Sequence, residues 1–327
     1  MKTARALALA CSLFAAQCAL HPPGPERFAF GVMGDVPYRD GEEAPFLEMI
    51  ERMNAEPLAF VVHVGDIKGT GRCSDEVYAR RKAQFERSAH PFMYTPGDNE
   101  WTDCRDPANG AFDPLERLAK LRAVFFADAH SMGRRRITAE AQPGLPENRL
   151  WQHANVVFVT IHVVGSNNNR AYNAAGDRDA DARDAANLAW LQVAGDRARA
   201  ARALVVLGQA NLWWGRKGTF ERYREALAAL AQSLHRPVLF VHGDTHLYRA
   251  DTPFVDASGT SVANPTRLET YGSPFVGWVK VDVDASRPDV FSFQPRMEAF
   301  VPLPRRRARA GARSLPRSPR ARPRPST

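Results

Sequence analysis

Four Gly-Asp pairs, each placed directly after an apolar run, are the residues of this 327-residue chain best suited to chemistry. Their aspartates are Asp35, Asp66, Asp98 and Asp244, in the sequences GDVPY, GDIK, GDNE and GDTH. Glycine tolerates a positive φ and so permits a sharp turn after a strand. Four aspartates delivered to one edge of a sheet would repel one another unless a cation lay among them. The motifs therefore predict a site for one or two divalent metal ions, against the alternative that each aspartate caps a helix.

The sequence around these motifs alternates between strand and helix patterns. The motifs follow strand-like apolar runs at 28–33, 58–64, 91–95 and 237–242, and further runs lie at 156–164 and 203–207. The spacing of apolar residues predicts helices at 44–54, 74–88 (with Ser74 as a candidate cap), 113–126, 181–202 and 220–234, a turn-rich stretch at 131–148, and a final β-rich region at 266–270, 275–282 and 289–293. Ligands bind beyond the carboxyl ends of strands in open α/β folds. The alternation therefore places the aspartates at one edge of an α/β domain.

Taken together, the motifs resemble those of the calcineurin-like metallophosphoesterase superfamily over roughly residues 28–283. That family's motifs run D-x-H, GD, GN-H-[DE], a histidine at a strand end, and G-H-x-H. Asp35 matches the first aspartate, Asp66 the metal-bridging one, and His246 the last histidine. The resemblance implies a two-sheet β-sandwich flanked by helices, in four α/β/β/α layers, with two metals bridged by Asp66 and a hydroxide.

Histidine is replaced at four positions where the family pattern has it. Pro37, Asn99, Gln209 and Asp244 stand there instead, and Asp98 replaces an asparagine. Oxygen ligands suit magnesium, calcium and manganese, whereas imidazole suits zinc and iron. We therefore expect Mg²⁺, Mn²⁺ or Ca²⁺ before Zn²⁺ or Fe³⁺, with one site weak or absent because Pro37 has no donor. The implied metal ligands are Asp35, Asp66, Asp98, Gln209, Asp244 and His246.

The resemblance implies hydrolysis of a phosphate ester, with a metal-activated water attacking phosphorus. Asp66 and Asn99 are then the catalytic candidates. Asn99 stands where the family has a histidine that helps the leaving group; it can donate a hydrogen bond but cannot transfer a proton, a contribution typically worth ~10²–10⁴-fold. His63, His162 and His242 could substitute, although a structural role is favoured for the first and last. The alternative function is a degenerate family member that binds metal or a phosphorylated ligand without turnover.

Polar residues near the motifs are candidates for contacting a small phosphorylated substrate. Lys68 could meet a phosphate oxygen, neutralise the crowded carboxylates or point to solvent, and the three readings stay open. The consecutive asparagines Asn167, Asn168 and Asn169 could donate hydrogen bonds to phosphate without adding negative charge; a plain turn is the equal alternative.

Aromatic residues flank three of the strand-end motifs. Tyr38 and Trp101 follow the first and third Gly-Asp pairs, and Trp213 and Trp214 follow the GQAN sequence at Gln209. They could form a wall for a substrate. Packing beneath the loops is the favoured interpretation.

The amino-terminal segment reads as an export signal. Lys2 and Arg5 precede an apolar run and a proline-rich exit, the pattern of a secretory signal. The run is short for a membrane span. We expect residues 1–25 to direct the protein out of the cytoplasm, to the periplasm or the medium, with no transmembrane span in the mature form. A lipid anchor at Cys11 or Cys18 is the less favoured alternative.

The carboxyl-terminal segment 304–327 accounts for the basic charge of the chain. It holds nine arginines and no acidic residue, and residues 1–25 hold two more basic residues. Removing these eleven charges from the formal +8 leaves about −3 for residues 26–303, which we predict to be the folded domain. The tail's composition predicts disorder. We expect no specific nucleic-acid partner, the weaker alternative being a polybasic contact with anionic lipid or nucleic acid, and the oligomeric state stays open.

Cys73 and Cys104 are the two cysteines outside the export segment. Each follows a Gly-Asp motif by a few residues, so the two thiols approach each other if the motifs converge. Disulfides form in exported proteins. We predict a bridge between Cys73 and Cys104, over the alternative of two free thiols.

Overall fold

The computed structural model describes residues 27–302. The predicted export segment 1–25, with Cys11 and Cys18, and the arginine-rich tail 304–327 lie outside the described residues, so the predictions made for them stay predictions. No helix within the described part of the chain is both long and apolar enough to cross a membrane.

Twelve strands form two sheets in the described part of the chain. The five-stranded sheet has the order β12-β11-β1-β2-β3 and the seven-stranded sheet has the order β4-β5-β6-β7-β8-β10-β9. The strands are β1 (Arg27–Met33), β2 (Val61–His63), β3 (Phe92–Tyr94), β4 (Glu140–Gln142), β5 (Leu145–His153), β6 (Val156–Thr160), β7 (Ala203–Leu207), β8 (Val238–His242), β9 (Arg249–Asp251), β10 (Pro265–Glu269), β11 (Phe275–Asp284) and β12 (Phe291–Phe300).

The helices lie between these strands in the chain. They are α1 (Asp40–Asn54), α2 (Asp75–Phe85), α3 (Pro114–Phe125), α4 (Gly165–Asn168), α5 (Ala174–Ala198) and α6 (Glu221–Leu234). A short 3₁₀ turn, Thr102–Arg105, follows the third Gly-Asp motif. Asp113 caps α3 by accepting a hydrogen bond from the backbone N–H of Glu116 at 2.9 Å, and Pro114 occupies the first turn.

Each sheet contains a block of neighbouring parallel strands. β1, β2 and β3 are parallel in one sheet, and β6, β7, β8 and β10 are parallel in the other. Strands such as β6 and β8 are apolar and buried along their whole length, as expected where both faces of a sheet are covered. The loops after the parallel strands therefore leave both sheets at their carboxyl ends.

The core divides into three apolar layers. Phe30, Phe60 and Phe158 lie in the layer between the two sheets, where their rings contact one another. A second layer packs α1, α2 and α3 against the outer face of the five-stranded sheet. A third packs α5 and α6 against the outer face of the seven-stranded sheet. The prediction of a two-sheet sandwich flanked by helices is confirmed.

Several element boundaries differ from the sequence prediction. The stretch 131–148 was predicted as turns, but it contains β4 and the start of β5, which pair antiparallel at the edge of the seven-stranded sheet. Its short, polar edge strand lacks the apolar run that identifies a central strand. Helix α5 begins at Ala174 rather than 181, because Asn173 caps it through the backbone N–H of Gly176. Ser74 precedes α2 without making a side-chain capping bond, so that part of the prediction is wrong.

The predicted disulfide is confirmed. Cys73, just before α2, is bonded to Cys104 in the 3₁₀ turn, and their Cα atoms are 5.7 Å apart. The bond closes a segment with a sequence separation of 31 that contains β3 and Asp98. Both sulfur atoms are buried and lie 3.7 and 3.8 Å from the carbonyl oxygen of Asn99. The bond therefore fixes the loop that carries the third Gly-Asp motif.

Removing this disulfide should destabilise the fold. The paired substitution Cys73→Ala and Cys104→Ala frees the intervening segment in the unfolded state, which should lower the free energy of unfolding by about 2–4 kcal/mol. Urea denaturation under oxidising conditions measures the change, and the unsubstituted protein treated with a reductant should shift in the same direction. Equal urea midpoints for the oxidised protein and the double variant would show that the disulfide does not stabilise the fold.

Candidate metal centre

The aspartates of the four Gly-Asp motifs lie at the carboxyl ends of the two sheets. Asp35, Asp66 and Asp98 follow β1, β2 and β3, and Asp244 follows β8. The first three are buried, and Asp244 is partly exposed. Sandwich formation thus brings motifs from both sheets to one edge, as the sequence predicted for the strand ends.

The backbone of this edge is strained at the aspartates themselves. Asp35, Asp66 and Asp244 have φ values of 56°, 57° and 76°, and His246 has 67°. The sequence predicts a positive φ at the glycine of each motif, but of these four glycines Gly65 alone has it. Positive φ in non-glycine residues costs free energy and clusters at functional sites.

The motif glycines are needed because other groups approach them closely. A Cβ atom on Gly97 would overlap Asp66 Oδ1, and one on Gly243 would overlap Asp35 Oδ2. A Cβ on Gly165, after β6, would lie 2.6 Å from Asp98 Oδ1 and 2.9 Å from Asp244 Oδ1. The carboxylates are therefore packed directly against backbone.

The aspartates form a chain of neighbours across the two sheets. The backbone N–H of Asp244 donates to both carboxylate oxygens of Asp35 at 3.1 Å. Asp244 and Asp98 meet on either side of Gly165. Asp66 Oδ1 accepts from the backbone N–H of Asn99 at 3.1 Å, beside Asp98. All four aspartates therefore lie within one small region.

Burial and mutual repulsion disfavour the charged form of three of these carboxyls. Burial and the charge of Asp98 raise the pKa of Asp66 well above its usual range. Burial and Asp244 do the same for the pKa of Asp98. Burial raises the pKa of Asp244 to about 7, with Asp35 adding to the effect. A cation among them would reverse this penalty.

One buried oxygen of the four aspartates has no hydrogen-bond partner among residues 27–302. Asp98 Oδ2 accepts from Ser166 Oγ at 2.7 Å, but Asp98 Oδ1 is buried and unpartnered. A buried unpaired carboxylate oxygen is costly. The position therefore suits a cation.

His246 points one ring nitrogen into the site. Its Nδ1 lies 2.6 Å from the carbonyl oxygen of Ser273, to which it donates, and this orients Nε2 towards Asp35 Oδ1 at 3.5 Å. Burial lowers the pKa of His246, but the hydrogen bond and charge of Asp35 outweigh it and raise that pKa to about 9. Histidines that bind metals are commonly held by such a carbonyl contact at the other nitrogen.

Tyr38 takes part in the site, which the sequence interpretation missed. Its hydroxyl donates to Asp66 Oδ2 at 2.8 Å and lies 3.3 Å from Asp35 Oδ1 and 3.2 Å from His246 Nε2. The packing role that we favoured is wrong for Tyr38. It holds for Trp101, which is fully buried against the ring of His162. The tyrosine's place three residues after Asp35 was the available signal.

Glu100 is a second residue that sequence reasoning did not single out. Its buried carboxylate accepts from the backbone N–H groups of Asp66 at 3.1 Å, Ile67 at 3.3 Å and Gly97 at 2.6 Å. The hydroxyl of Tyr94 donates to it at 2.8 Å. Glu100 therefore joins the second and third Gly-Asp loops.

The remaining ligand and substrate candidates of the sequence occupy different surroundings. Gln209 is buried, and its Oε1 accepts from the backbone N–H of Gly165 at 2.7 Å. The Nζ of Lys68, nearly buried, donates to the carbonyl oxygen of Asn99 at 3.2 Å, and burial lowers the pKa of Lys68. Lys68 thus lies among the acidic groups, as the neutralising role requires. Asn99 itself is half-buried beside Asp66.

The three asparagines lie in α4 and directly after it, and this short element is a left-handed turn and not a right-handed helix. Residues Ser166 to Asn169 all have φ between 44° and 67°. Asn168 and Asn169 hold the turn to α5 through Asp184 and Asp179. Asn167 accepts from Thr219 Oγ1 at 2.6 Å and lines a surface cleft. Asparagine tolerates the left-handed region, which was the sequence signal for this turn.

The three candidate histidines for proton transfer are fully buried. His63 contacts the carbonyl oxygen of Val36 at 2.9 Å, and His162 pairs with Glu147 at 2.7 Å. Burial lowers the pKa of His63 to about 4 and that of His242 to about 3. Neutral, hydrogen-bonded imidazoles of this kind fit a structural role. This role, which the sequence favoured for His63 and His242, therefore fits His162 as well.

The candidate ligands offer mainly oxygen atoms, which suits a cation that prefers oxygen. The unpartnered Asp98 oxygen and the mutually repelling Asp66, Asp98 and Asp244 carboxyls are what such an ion would stabilise. Within residues 27–302, however, no three His, Cys, Asp or Glu side chains converge closely enough to hold a metal by themselves. Binding of one ion by three of these side chains would therefore require them to move closer together.

Comparison with solved structures identifies the fold. A dimetal phosphatase from Danio rerio matches with a TM-score of 0.50 and 13% identity, over 84% of this chain and 97% of that one. The chain has the calcineurin-like metallophosphoesterase fold. Neither a protein-family model nor a curated protein matches its sequence.

Two further solved structures resemble this metallophosphoesterase fold at lower TM-scores. GAP50, the anchor in the inner membrane complex of Plasmodium, has a TM-score of 0.49 at 11% identity, covering 83% of this chain and 89% of that one. A phosphatase from Mycoplasma pneumoniae has a TM-score of 0.41 at 11% identity, covering 82% and 92%.

Removing the Glu100 carboxylate should loosen the second and third Gly-Asp loops. Glu100→Ala leaves the buried N–H groups of Asp66 and Gly97 and the Tyr94 hydroxyl without an acceptor, so the free energy of unfolding should fall by about 2–4 kcal/mol. Chemical denaturation measures it. Glu225→Ala, at an exposed position in the middle of α6, is the matched control and should leave the midpoint unchanged. Equal behaviour of the two variants would show that Glu100 does not hold the loops.

Proposed function

We propose that the chain is a metal-dependent phosphoester hydrolase that acts outside the cytoplasm. The observation that carries the proposal is the buried, unpartnered Asp98 oxygen among aspartates that repel one another. A fold does not by itself imply an activity. Several buried carboxyl groups at one edge, however, cost free energy, and this arrangement is the one expected for a cation-dependent site.

Asp66, Asp98, Gln209 and Asp244 would hold a cation on one side of the site, and Asp35 with His246 would contribute on the other. When bound, a divalent cation would bind phosphate oxygens as a Lewis acid and lower the pKa of a water molecule. The aspartates require a hard cation because their donors are oxygen atoms. We therefore retain Mg²⁺, Mn²⁺ or Ca²⁺ over Zn²⁺ or Fe³⁺.

The chain's own residues orient this machinery. Glu100 fixes Asp66 through its backbone N–H, and Ser166 fixes one oxygen of Asp98. Lys68 places a positive charge beside the acidic cluster. Asn99, half-buried next to Asp66, would donate a hydrogen bond to the substrate or leaving group. The disulfide beneath Asn99 supports an exported location.

A basic cleft beside the left-handed turn supports a small anionic substrate. The cleft has a volume of about 430 Å³, and Asn167 lines it one residue after Ser166, which contacts Asp98. Arg170 of its wall pairs with Asp181 and Asp184, and Arg216, Lys217 and Arg222 add three further positive charges. The wall is made of Asn167, Arg170, Asp181, Asp184, Arg216, Lys217, Gly218, Thr219 and Arg222.

A second candidate function is binding of a metal or phosphorylated ligand without turnover. The residue at position 99 favours it, because Asn99 can donate a hydrogen bond but cannot transfer a proton to a leaving group. The candidate histidines His63, His162 and His242 are fully buried. Turnover measurements separate the two functions.

Asp66→Asn should abolish metal-dependent hydrolysis. The full chain, stripped of metal and then supplied with Mg²⁺, Mn²⁺, Ca²⁺ or Zn²⁺, is assayed on aryl phosphate mono- and diesters. Loss of the negative charge of the Asp66 carboxylate should reduce turnover at least about 100-fold. This is more than the loss caused by removing a residue that contacts a metal ligand but does not bind the metal. The exposed Asp196→Asn serves as the control and should retain full activity.

Metal binding by the unsubstituted chain without turnover of any ester class would reject the hydrolase in favour of the binding protein. Activity that is independent of added metal, or equal in the Asp66→Asn variant, would reject a metal-dependent site.

Neutralising the cleft should weaken substrate binding and leave the chemical step intact. The paired substitution Arg216→Gln and Lys217→Gln removes two positive charges near Asn167, so KM for the aryl phosphates should rise several-fold while kcat stays constant. The increase should shrink at high salt. Exposed Arg199→Gln, on the far end of α5, is the control. An unchanged KM would exclude the cleft from substrate binding.

A further inference from the structure

We infer that the basic cleft beside the left-handed turn is a second anion subsite, and that the substrate is a phosphate ester whose leaving group carries a second phosphate. This inference deepens the proposed function and rests on it for the position of the reacting phosphate. It assigns to the cleft a phosphate that is bound but not hydrolysed.

The left-handed turn is the first of two segments that connect the aspartates to the cleft. Ser166 Oγ donates to Asp98 Oδ2 at 2.7 Å, and the next residue, Asn167, lines the cleft. Consecutive Cα atoms are about 3.8 Å apart, so the cleft wall begins one residue beyond the contact with Asp98. A substrate bound at the aspartates therefore lies beside the cleft.

The loop that joins β7 to α6 is the second connecting segment. At its start the backbone N–H of Asn211 donates to Asp244 Oδ2 at 2.8 Å. Near its end Thr219 Oγ1 donates to Asn167 Oδ1 at 2.6 Å. The residues between these two contacts include part of the cleft wall. The loop therefore runs from the aspartates to the cleft, and both of its anchored ends belong to the same continuous surface.

The cleft wall carries more positive charge than its own acidic residues balance. Arg170 pairs with Asp181 and with the buried Asp184. Three further positive charges come from exposed side chains, those of Arg216, Lys217 and Arg222. A phosphate ester group carries about 1.5 to 2 negative charges at neutral pH, whereas a carboxylate carries one. The excess charge therefore suits a phosphate better than a carboxylate.

One side of the cleft is held in place by buried hydrogen bonds. Asp184 accepts from the Tyr223 hydroxyl at 2.6 Å and from Asn168 Nδ2 at 2.8 Å, in addition to its contact with Arg170. The backbone N–H of Arg170 donates to the carbonyl oxygen of Asn167 at 2.9 Å. A side chain that is fixed in this way loses less conformational entropy on binding an anion than a mobile one does.

The cleft and the strand-end aspartates differ in charge and so suit different groups of one substrate. Hydrolysis, as proposed, takes place at the aspartates. Both carboxylates of the cleft wall pair with Arg170, which leaves the wall with a net positive charge. An ester with two phosphates would place one at the aspartates and the other in the cleft.

A series of matched ligands tests the subsite. Alkane bisphosphonates with one to five methylene groups are compared with alkyl monophosphonates of the same length, using the full chain at a constant free Mn²⁺ concentration. One spacing should bind about ten- to hundredfold more tightly than its monophosphonate, because the second anion gains charge-assisted hydrogen bonds in the cleft. Isothermal titration calorimetry measures the affinities, so this readout does not require turnover.

The paired substitution Arg216→Gln and Lys217→Gln should remove most of the bisphosphonate gain. The affinity for the monophosphonate should fall only several-fold, because that ligand places no group in the cleft. Both residues are exposed, and an equal urea midpoint confirms that the variant is folded. Arg199→Gln, at the far end of α5, is the control and should keep the gain.

Three results would overturn the inference. The first is no binding of any bisphosphonate, or an affinity equal to that of the monophosphonate at every spacing. The others are a gain that is the same at every spacing and a gain that persists in the double variant, because the second anion would then be attracted by overall charge or bound elsewhere. A spacing-dependent gain that the variant loses, in a chain that turns over no ester, would reject the hydrolase and leave the two-anion subsite standing.

Discussion

The Glu100 carboxylate links the two loops on which the rest of the site depends. It accepts hydrogen bonds from the backbone of Asp66 and Gly97 and from the Tyr94 hydroxyl, so that loops separated by more than thirty residues share one acceptor. Because these donors are buried, the cost of leaving them unpaired enforces the arrangement. Asp66 and Asp98 are oriented as a result, and the disulfide closes the same segment from beneath.

Electrostatic repulsion opposes this arrangement. Asp35, Asp66 and Asp98 are buried beside one another and beside Glu100, in surroundings that weaken solvation of their charges. Lys68 and His246 provide partial compensation from within the chain. Positive φ at three of the aspartates adds backbone strain. The fold therefore holds these carboxylates and their backbone in an arrangement that repulsion and φ strain disfavour. Such strain is common at sites that bind a ligand.

The sequence predicted the features that depend on short-range pattern. Apolar runs located the central strands, and each Gly-Asp pair marked a strand end, so the common edge and the disulfide could be inferred. The edge strand β4 could not, because its three residues lack an apolar run. Tyr38 and Glu100 could not either, since their roles depend on atoms brought together by the fold: Tyr38 meets His246 across 208 residues, and Glu100 meets Asp66 across 34.

The close packing around Gly97 and Gly243 has a consequence for how the Gly-Asp pair can be used as a signature. A side chain at either of these glycines would collide with a carboxylate, so the glycines are required by steric fit whether or not a reaction takes place. A chain of this fold could exchange its histidines, change its preferred ion or lose turnover and still retain the pairs. The Gly-Asp pair therefore indicates the fold, whereas the side chains around it, Tyr38 among them, indicate the chemistry.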